Sequence, residues 1–264
     1  MSLDRFFYFP DSKQRGSPAD DGLTFEDVVI PTDDGLRLHG WFMPATGRAR
    51  GTVLHLHGNA ANITGHYAFV NWLPAAGYHV LAVDYRGYGR SAGRVSRGGM
   101  LLDALAAMDY LRGRTDVDRR RVFVFGQSIG GVVAAALAAK RGRQIAAVAI
   151  DSAFTSYRAI ASYHVRRQPL LLLTAWWYPH FVQRGDDAIE CVRAISPTPV
   201  LFMHGREDRI TPARMSQELY DAAGEPKSLW LVDGLDHTEV WLARPAEARR
   251  RLIDHFESAC AGTA

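Results

Sequence analysis

Val122-Phe123-Val124-Phe125-Gly126-Gln127-Ser128-Ile129-Gly130 is the stretch on which the reading of this chain turns. The run of β-branched and aromatic residues predicts a buried strand. The Ala-rich stretch from Ile129 to Ala139 predicts a helix that is apolar all round and so buried under a sheet. A G-x-S-x-G between strand and helix reads as a nucleophile elbow, a strained turn that lifts a serine hydroxyl out of the sheet top. Side chains at the two glycines would meet the facing strand and helix. The pattern alone is weak in a chain with 24 glycines, and the flanking strand and helix give it weight.

A serine hydroxyl needs a base to take its proton, and the base needs a carboxylate to fix its tautomer. On an elbow serine the partners are expected downstream, acid first and histidine last. Val200-Leu201-Phe202-Met203-His204 predicts a buried strand, and Gly205-Arg206-Glu207-Asp208-Arg209-Ile210-Thr211-Pro212 a polar turn beyond it. Asp208 is the expected acid, with its neighbour Glu207 as the rival. Asp151, after Ala147-Val148-Ala149-Ile150, is a second rival that reads better as a helix cap or loop ligand. Leu229-Trp230-Leu231-Val232 predicts the last strand, and the loop Asp233-Gly234-Leu235-Asp236-His237 follows it. Of the ten histidines, His237 falls where the base is wanted, between that strand and the C-terminal helix.

The tetrahedral intermediate needs hydrogen-bond donors for its oxyanion. The N–H of Ile129, at the start of the elbow helix, is one expected donor. The other is the N–H of Asn59, in the loop His57-Gly58-Asn59-Ala60-Ala61-Asn62 after the strand Thr52-Val53-Leu54-His55-Leu56. His57 is expected to brace this loop. His55 and His57 lack a nearby third ligand, so they read as core histidines and no metal is expected.

In order along the chain come His57-Gly58-Asn59-Ala60, Asp84-Tyr85-Arg86-Gly87-Tyr88-Gly89-Arg90-Ser91, Gly126-Gln127-Ser128-Ile129-Gly130, His204-Gly205-Arg206-Glu207-Asp208 and Gly234-Leu235-Asp236-His237. By these elements, from about residue 24 to residue 257, the chain resembles the α/β-hydrolases, most closely the serine hydrolases grouped with Bem46 and the ABHD13 and ABHD17 proteins. The resemblance implies an α/β fold with a mostly parallel central sheet flanked by helices, no cofactor, and Ser128, Asp208 and His237 as a catalytic triad. It settles Asp208 over Glu207. A serine at the elbow argues against dehalogenase and epoxide hydrolase chemistry, which on this fold use an aspartate there. Several relatives carry an N-terminal anchor or lipidation signal. Met1 to Pro10 is too short and too acidic for a signal peptide.

The rest of the chain fits one α/β-hydrolase domain over residues 1–264. Residues 24 to 43 predict a hairpin turning at Thr32-Asp33-Asp34-Gly35. Leu101, Ala104, Leu105, Met108 and Leu111 are spaced as one buried helix face. Residues 155–195 interrupt the strand–helix alternation with many aromatic and leucine residues and predict a short lid. There Tyr157, Trp176 and Trp177 are the expected substrate-binding residues, and contact of this segment with a membrane surface is an open reading.

The net charge is +3, with three lysines against 28 arginines, which hints at a GC-rich bacterial genome. The arginine clusters at 119–121 and 249–251 read as solvated faces, and no nucleic-acid motif accompanies them. Two cysteines imply no disulfide framework. No run of 18 apolar residues is present, so no transmembrane segment is expected. A cytoplasmic monomer acting on a small-molecule ester or acyl substrate is the expectation. A protein fatty-acyl thioesterase is the alternative, and a peptidase or a non-catalytic binding protein on a hydrolase frame the weaker readings.

Overall fold

The computed structural model describes residues 7–167 and 185–261. A main sheet is built from β2 (Glu26–Pro31), β3 (Arg37–Met43), β4 (Gly51–Leu56), β6 (Tyr78–Val83), β7 (Val122–Gln127), β8 (Ala147–Asp151), β9 (Val200–Gly205) and β10 (Lys227–Val232), in the order β10-β9-β8-β7-β4-β6-β3-β2. The first two strands are the antiparallel hairpin that the sequence predicts, with Val28 opposite Gly40. β3 also runs antiparallel to β6, and every later pairing is parallel. Strands β4, β6, β7 and β9 are buried along their whole length, as apolar runs covered on both faces must be.

Alternate residues feed two cores. Val122 and Val124 of β7 face one core, with α2 (Arg97–Gly113) and α3 (Ile129–Arg141). Phe123 and Phe125 face the other, with Leu252 and Phe256 of α8 (Pro245–Ala261). On α2 the expected stripe is buried at Leu101, Ala104, Met108 and Leu111, and Leu105 lies at its margin. On α3 every residue from Ile129 to Ala138 is buried. That buries an all-apolar helix, as predicted.

The strand order places the site. β4 lies between β6 and β7, so the connections leave its neighbourhood in opposite directions. A crevice opens where that happens, outside the C-terminal ends of the strands, between the loops after β4 and β7.

One pairing was not anticipated from the sequence. β1 (Phe9–Pro10) lies parallel to β5 (Ala60–Ala61), so the N-terminal segment straps the loop that follows β4. In the 155–195 region the described parts include α4 (Tyr157–Arg166) and α5 (Ala188–Cys191), and elsewhere lie α1 (Ile63–His66), α6 (Arg214–Ala222) and α7 (Val240–Ala243). Trp176 and Trp177 lie outside the described residues. Among the described residues no helix is long and apolar enough to cross a membrane.

Candidate active site

Ser128 follows the last residue of β7 and precedes the first of α3, with φ 54° and ψ −118°. A left-handed φ is unusual for a residue with a Cβ and stores strain. The two glycines make the turn sterically feasible. A Cβ on Gly126 would strike the carbonyl of Gly130, and a Cβ on Gly130 would strike the carbonyl of Leu56. The Ser128 N–H donates to Asp151 O at 2.8 Å, which pins the elbow to the end of β8.

Past β9 the turn delivers Asp208 into a buried position, 6% exposed, while Glu207 is exposed and its N–H is bonded to Leu235 O. One Asp208 oxygen, Oδ2, accepts from His237 Nδ1 at 2.6 Å and from His204 Nε2 at 2.9 Å. The other accepts from the N–H groups of Ile210 and Thr211, at 2.8 and 2.7 Å. Burial pushes this carboxyl up, but the bonds from His204 and His237, with the Thr211 N–H, outweigh it and hold it down at about 2. With Nδ1–H committed to Asp208, His237 presents Nε2 as its acceptor. His204 Nε2 also faces Thr211 O at 2.8 Å, so it carries the proton, and Nδ1 accepts from Ser216 Oγ at 2.6 Å. A Cβ on Gly205 would strike the carbonyl of Leu235, so glycine lets the histidine loop lie directly on the end of β9.

Asp151 is the last residue of β8 and is fully buried. It is not a helix cap, since Ser156 caps α4. It serves instead as a loop ligand, accepting from Trp241 Nε1 at 2.7 Å, Ser152 Oγ at 2.8 Å and Gln127 Nε2 at 3.4 Å. Burial raises its pKa, against the bonds from Trp241 and Ser152. The Thr238 N–H donates to Ser152 Oγ at 3.3 Å, which joins this cluster to the histidine loop. Ser152 and Thr238 share the left-handed backbone of Ser128, with φ of 54° and 53°. Strain is thus concentrated on one rim.

Ile129 is the first residue of α3, and its N–H is among the four that a helix start leaves without an intrahelical partner. Across from it, His57 Nδ1–H donates to Gly58 O at 2.7 Å and braces the loop as expected. His55 is buried and bonded through Nε2 to Gln127 Oε1 at 3.1 Å. Asn59, Ser128, Ile129 and His237 all line one cavity of about 800 Å³. No hydrogen bond joins Ser128 Oγ to His237 among the described residues. Such a bond commonly tightens only when substrate fills the site.

The remaining wall is largely apolar and includes Phe69, Phe154, Ile160 and Tyr157. Tyr157 is 2% exposed, wedged edge-on against Phe7 and Phe154 with the Arg97 guanidinium over its ring. It forms wall rather than a free polar contact. The sequence reading missed three features of this site. They are the second histidine on Asp208, the Trp241–Asp151 bond and the N-terminal strap. His204 could have been found as the residue four before Asp208. Nothing in the sequence marks the other two.

The Hydrolase_4 family, described as serine aminopeptidase, S33, matches residues 47–186 and 171–240. Protein YfhR of Escherichia coli K12, itself uncharacterized, is 37% identical over 260 residues, 96% of this chain and 87% of its own. Protein bem46 of Schizosaccharomyces pombe is 29% identical over 220 residues, 80% of this chain and 70% of its own. Among solved structures, the Pyrococcus furiosus esterase Pf2001 superposes with a TM-score of 0.78 at 23% identity, covering 96% of this chain and 98% of the esterase. That last likeness is one of fold.

Proposed function

We propose, from the premise that the chain belongs to the Hydrolase_4 family of α/β-hydrolases and to its Bem46 group, that it is a serine hydrolase of carboxylic esters with small to medium acyl groups. The observation that carries this reading is the 2.6 Å bond from His237 to Asp208 on the rim of the cavity into which the strained Ser128 opens. His237 Nε2 takes the Ser128 proton as Oγ attacks the ester carbonyl. The N–H groups of Asn59 and Ile129 hold the oxyanion. His237, its imidazolium stabilised by Asp208, then protonates the leaving alcohol, and water repeats the cycle on the acyl-enzyme. From α4, Tyr157, Ile160, Ala161, His164 and Val165 line the cavity in which this chemistry would run.

An ester reading is favoured over the aminopeptidase of the family's description. An aminopeptidase must bind a substrate ammonium, and no aspartate or glutamate is among the described residues lining the cavity. The apolar wall also favours a second reading, a fatty-acyl thioesterase, in which a long chain fills the cavity. Hydrolysis of p-nitrophenyl esters from C2 to C16 separates the two. A short-chain optimum abolished in Ser128→Ala is the expected result. An optimum at C12 or beyond would move the assignment to the fatty-acyl deacylase or a lipase, and activity that survives Ser128→Ala would overturn every serine reading.

A further inference from the structure

The N-terminal strap makes contacts that a simple cover of the surface would not need. Asn59, the proposed oxyanion donor, has its side chain clamped by it. Oδ1 accepts from the Phe9 N–H at 3.2 Å, and Nδ2 donates to Phe7 O. Tyr88 Oη completes the clamp, donating to Asn59 O at 2.8 Å. Further along, Asn62 Nδ2 donates to Asp11 O at 3.1 Å and to Lys13 O at 3.0 Å, and the Arg15 N–H donates to Thr64 Oγ1 at 3.0 Å. The strap therefore grips the whole turn after β4. It also reaches the opposite wall, where Tyr8 Oη lies 3.3 Å from Tyr157 Oη and the Phe7 ring meets Tyr157 edge-on at 5.5 Å.

Two of its side chains face the cavity. Phe7 and Phe9 both line it, and Phe9 is 63% exposed at its lip. Ile210, two residues past Asp208, lines the same cavity and is 52% exposed. Tyr8 is buried in the core and Phe7 packs against it, which anchors the strap, while Phe7 and the exposed Phe9 also present their rings to the cavity.

We infer that residues 7–15 form a specificity-determining and positioning strap: Phe7 and Phe9 supply the acyl-binding wall, and the clamp on Asn59 aims its N–H at the oxyanion. This rests on the ester-hydrolase reading for its kinetic consequences. The wall itself does not depend on it.

Two variants of the chain separate the two roles. In Phe7→Ala/Phe9→Ala, the ratio of kcat/KM for C12 to that for C4 p-nitrophenyl ester is expected to fall roughly tenfold, the scale of losing one buried aromatic contact. Asn59→Ala keeps its backbone N–H and loses only the clamp. Its kcat is expected to fall roughly tenfold at every chain length, with KM changed less than about threefold, because the lost interaction serves the transition state. Near-native melting temperatures would show that both variants fold. Titration with dodecanoate gives a readout independent of catalysis, and the double variant is expected to bind it at least about fivefold more weakly. A C12-to-C4 ratio and a dodecanoate affinity both within about twofold of native would overturn the wall. A change in KM alone for Asn59→Ala would overturn the positioning role. Should the native protein hydrolyse no ester, the function reading fails, and dodecanoate binding alone decides the strap.

Discussion

Two buried aspartates come from neighbouring strands, one after β9 and one at the end of β8, and the chain treats them in opposite ways. Asp208 accepts from two histidine rings and two backbone N–H groups, and its carboxyl is held down at about 2. Asp151 accepts from an indole, a hydroxyl and an amide, all neutral donors, and burial raises its pKa. The difference separates the acid proposed to orient His237 from one whose bonds hold neighbouring loops. Burial is common to both. Charge-assisted and backbone donors outweigh burial at Asp208, and the neutral donors at Asp151 do not.

That contrast can be broken most decisively by activity. Asp208→Asn leaves His237 without its carboxylate and with the wrong tautomer favoured, and kcat on a short ester is expected to fall by roughly 10⁴-fold. Asp151→Asn keeps an acceptor for Trp241 and is expected to cost less than about tenfold. Comparable losses would show that the two carboxylates share the role.

Acid titration sharpens the same contrast. Because the folded pKa of Asp208 lies below the ordinary 3.8, its contribution is present above that pH and lost as the pH falls towards 2. Its size is about 2 kcal/mol, an upper figure from the shift. The stability gap between native protein and Asp208→Asn should therefore close between pH 4 and 2 in urea melts. For Asp151 the sign reverses. Its folded pKa is raised, so its contribution is full below the ordinary value and lost as the pH rises through the folded one. Asp151→Asn should gain on the native protein over that rise. A gap for either variant that stays flat with pH would contradict the direction of shift given to that carboxyl.

The smallest effect concerns the donor to Asp151. Trp241→Phe removes one N–H from a buried carboxyl and should cost about 1–2 kcal/mol of stability. Activity should fall only through the neighbouring histidine loop, by less than about threefold. A larger kinetic loss would place Asp151 closer to the chemistry than its contacts imply.

Much of this architecture could be read before any coordinate was known, where local chemistry is unambiguous. Gly126 and Gly130 are demanded by close approach, the alternation of apolar runs dictates a parallel sheet, and Asp208 and His237 fall after their strands in the order an elbow serine requires. The strap was illegible because Phe9 and Pro10 carry no strand pattern of their own. Two residues pair with Ala60–Ala61 only because the loop after β4 presents a partner. The role of Asp151 was half legible, since its partner Trp241 is 90 residues away and only tertiary packing brings them together.

The most direct test of the account is to treat the protein with a fluorophosphonate and map the adduct by peptide mass spectrometry. The expected result is a single adduct on Ser128, absent from Ser128→Ala and formed at least about 10³-fold more slowly in His237→Ala. Labelling of another residue, or labelling of Ser128 at the native rate without His237, would contradict the serine mechanism proposed for this fold.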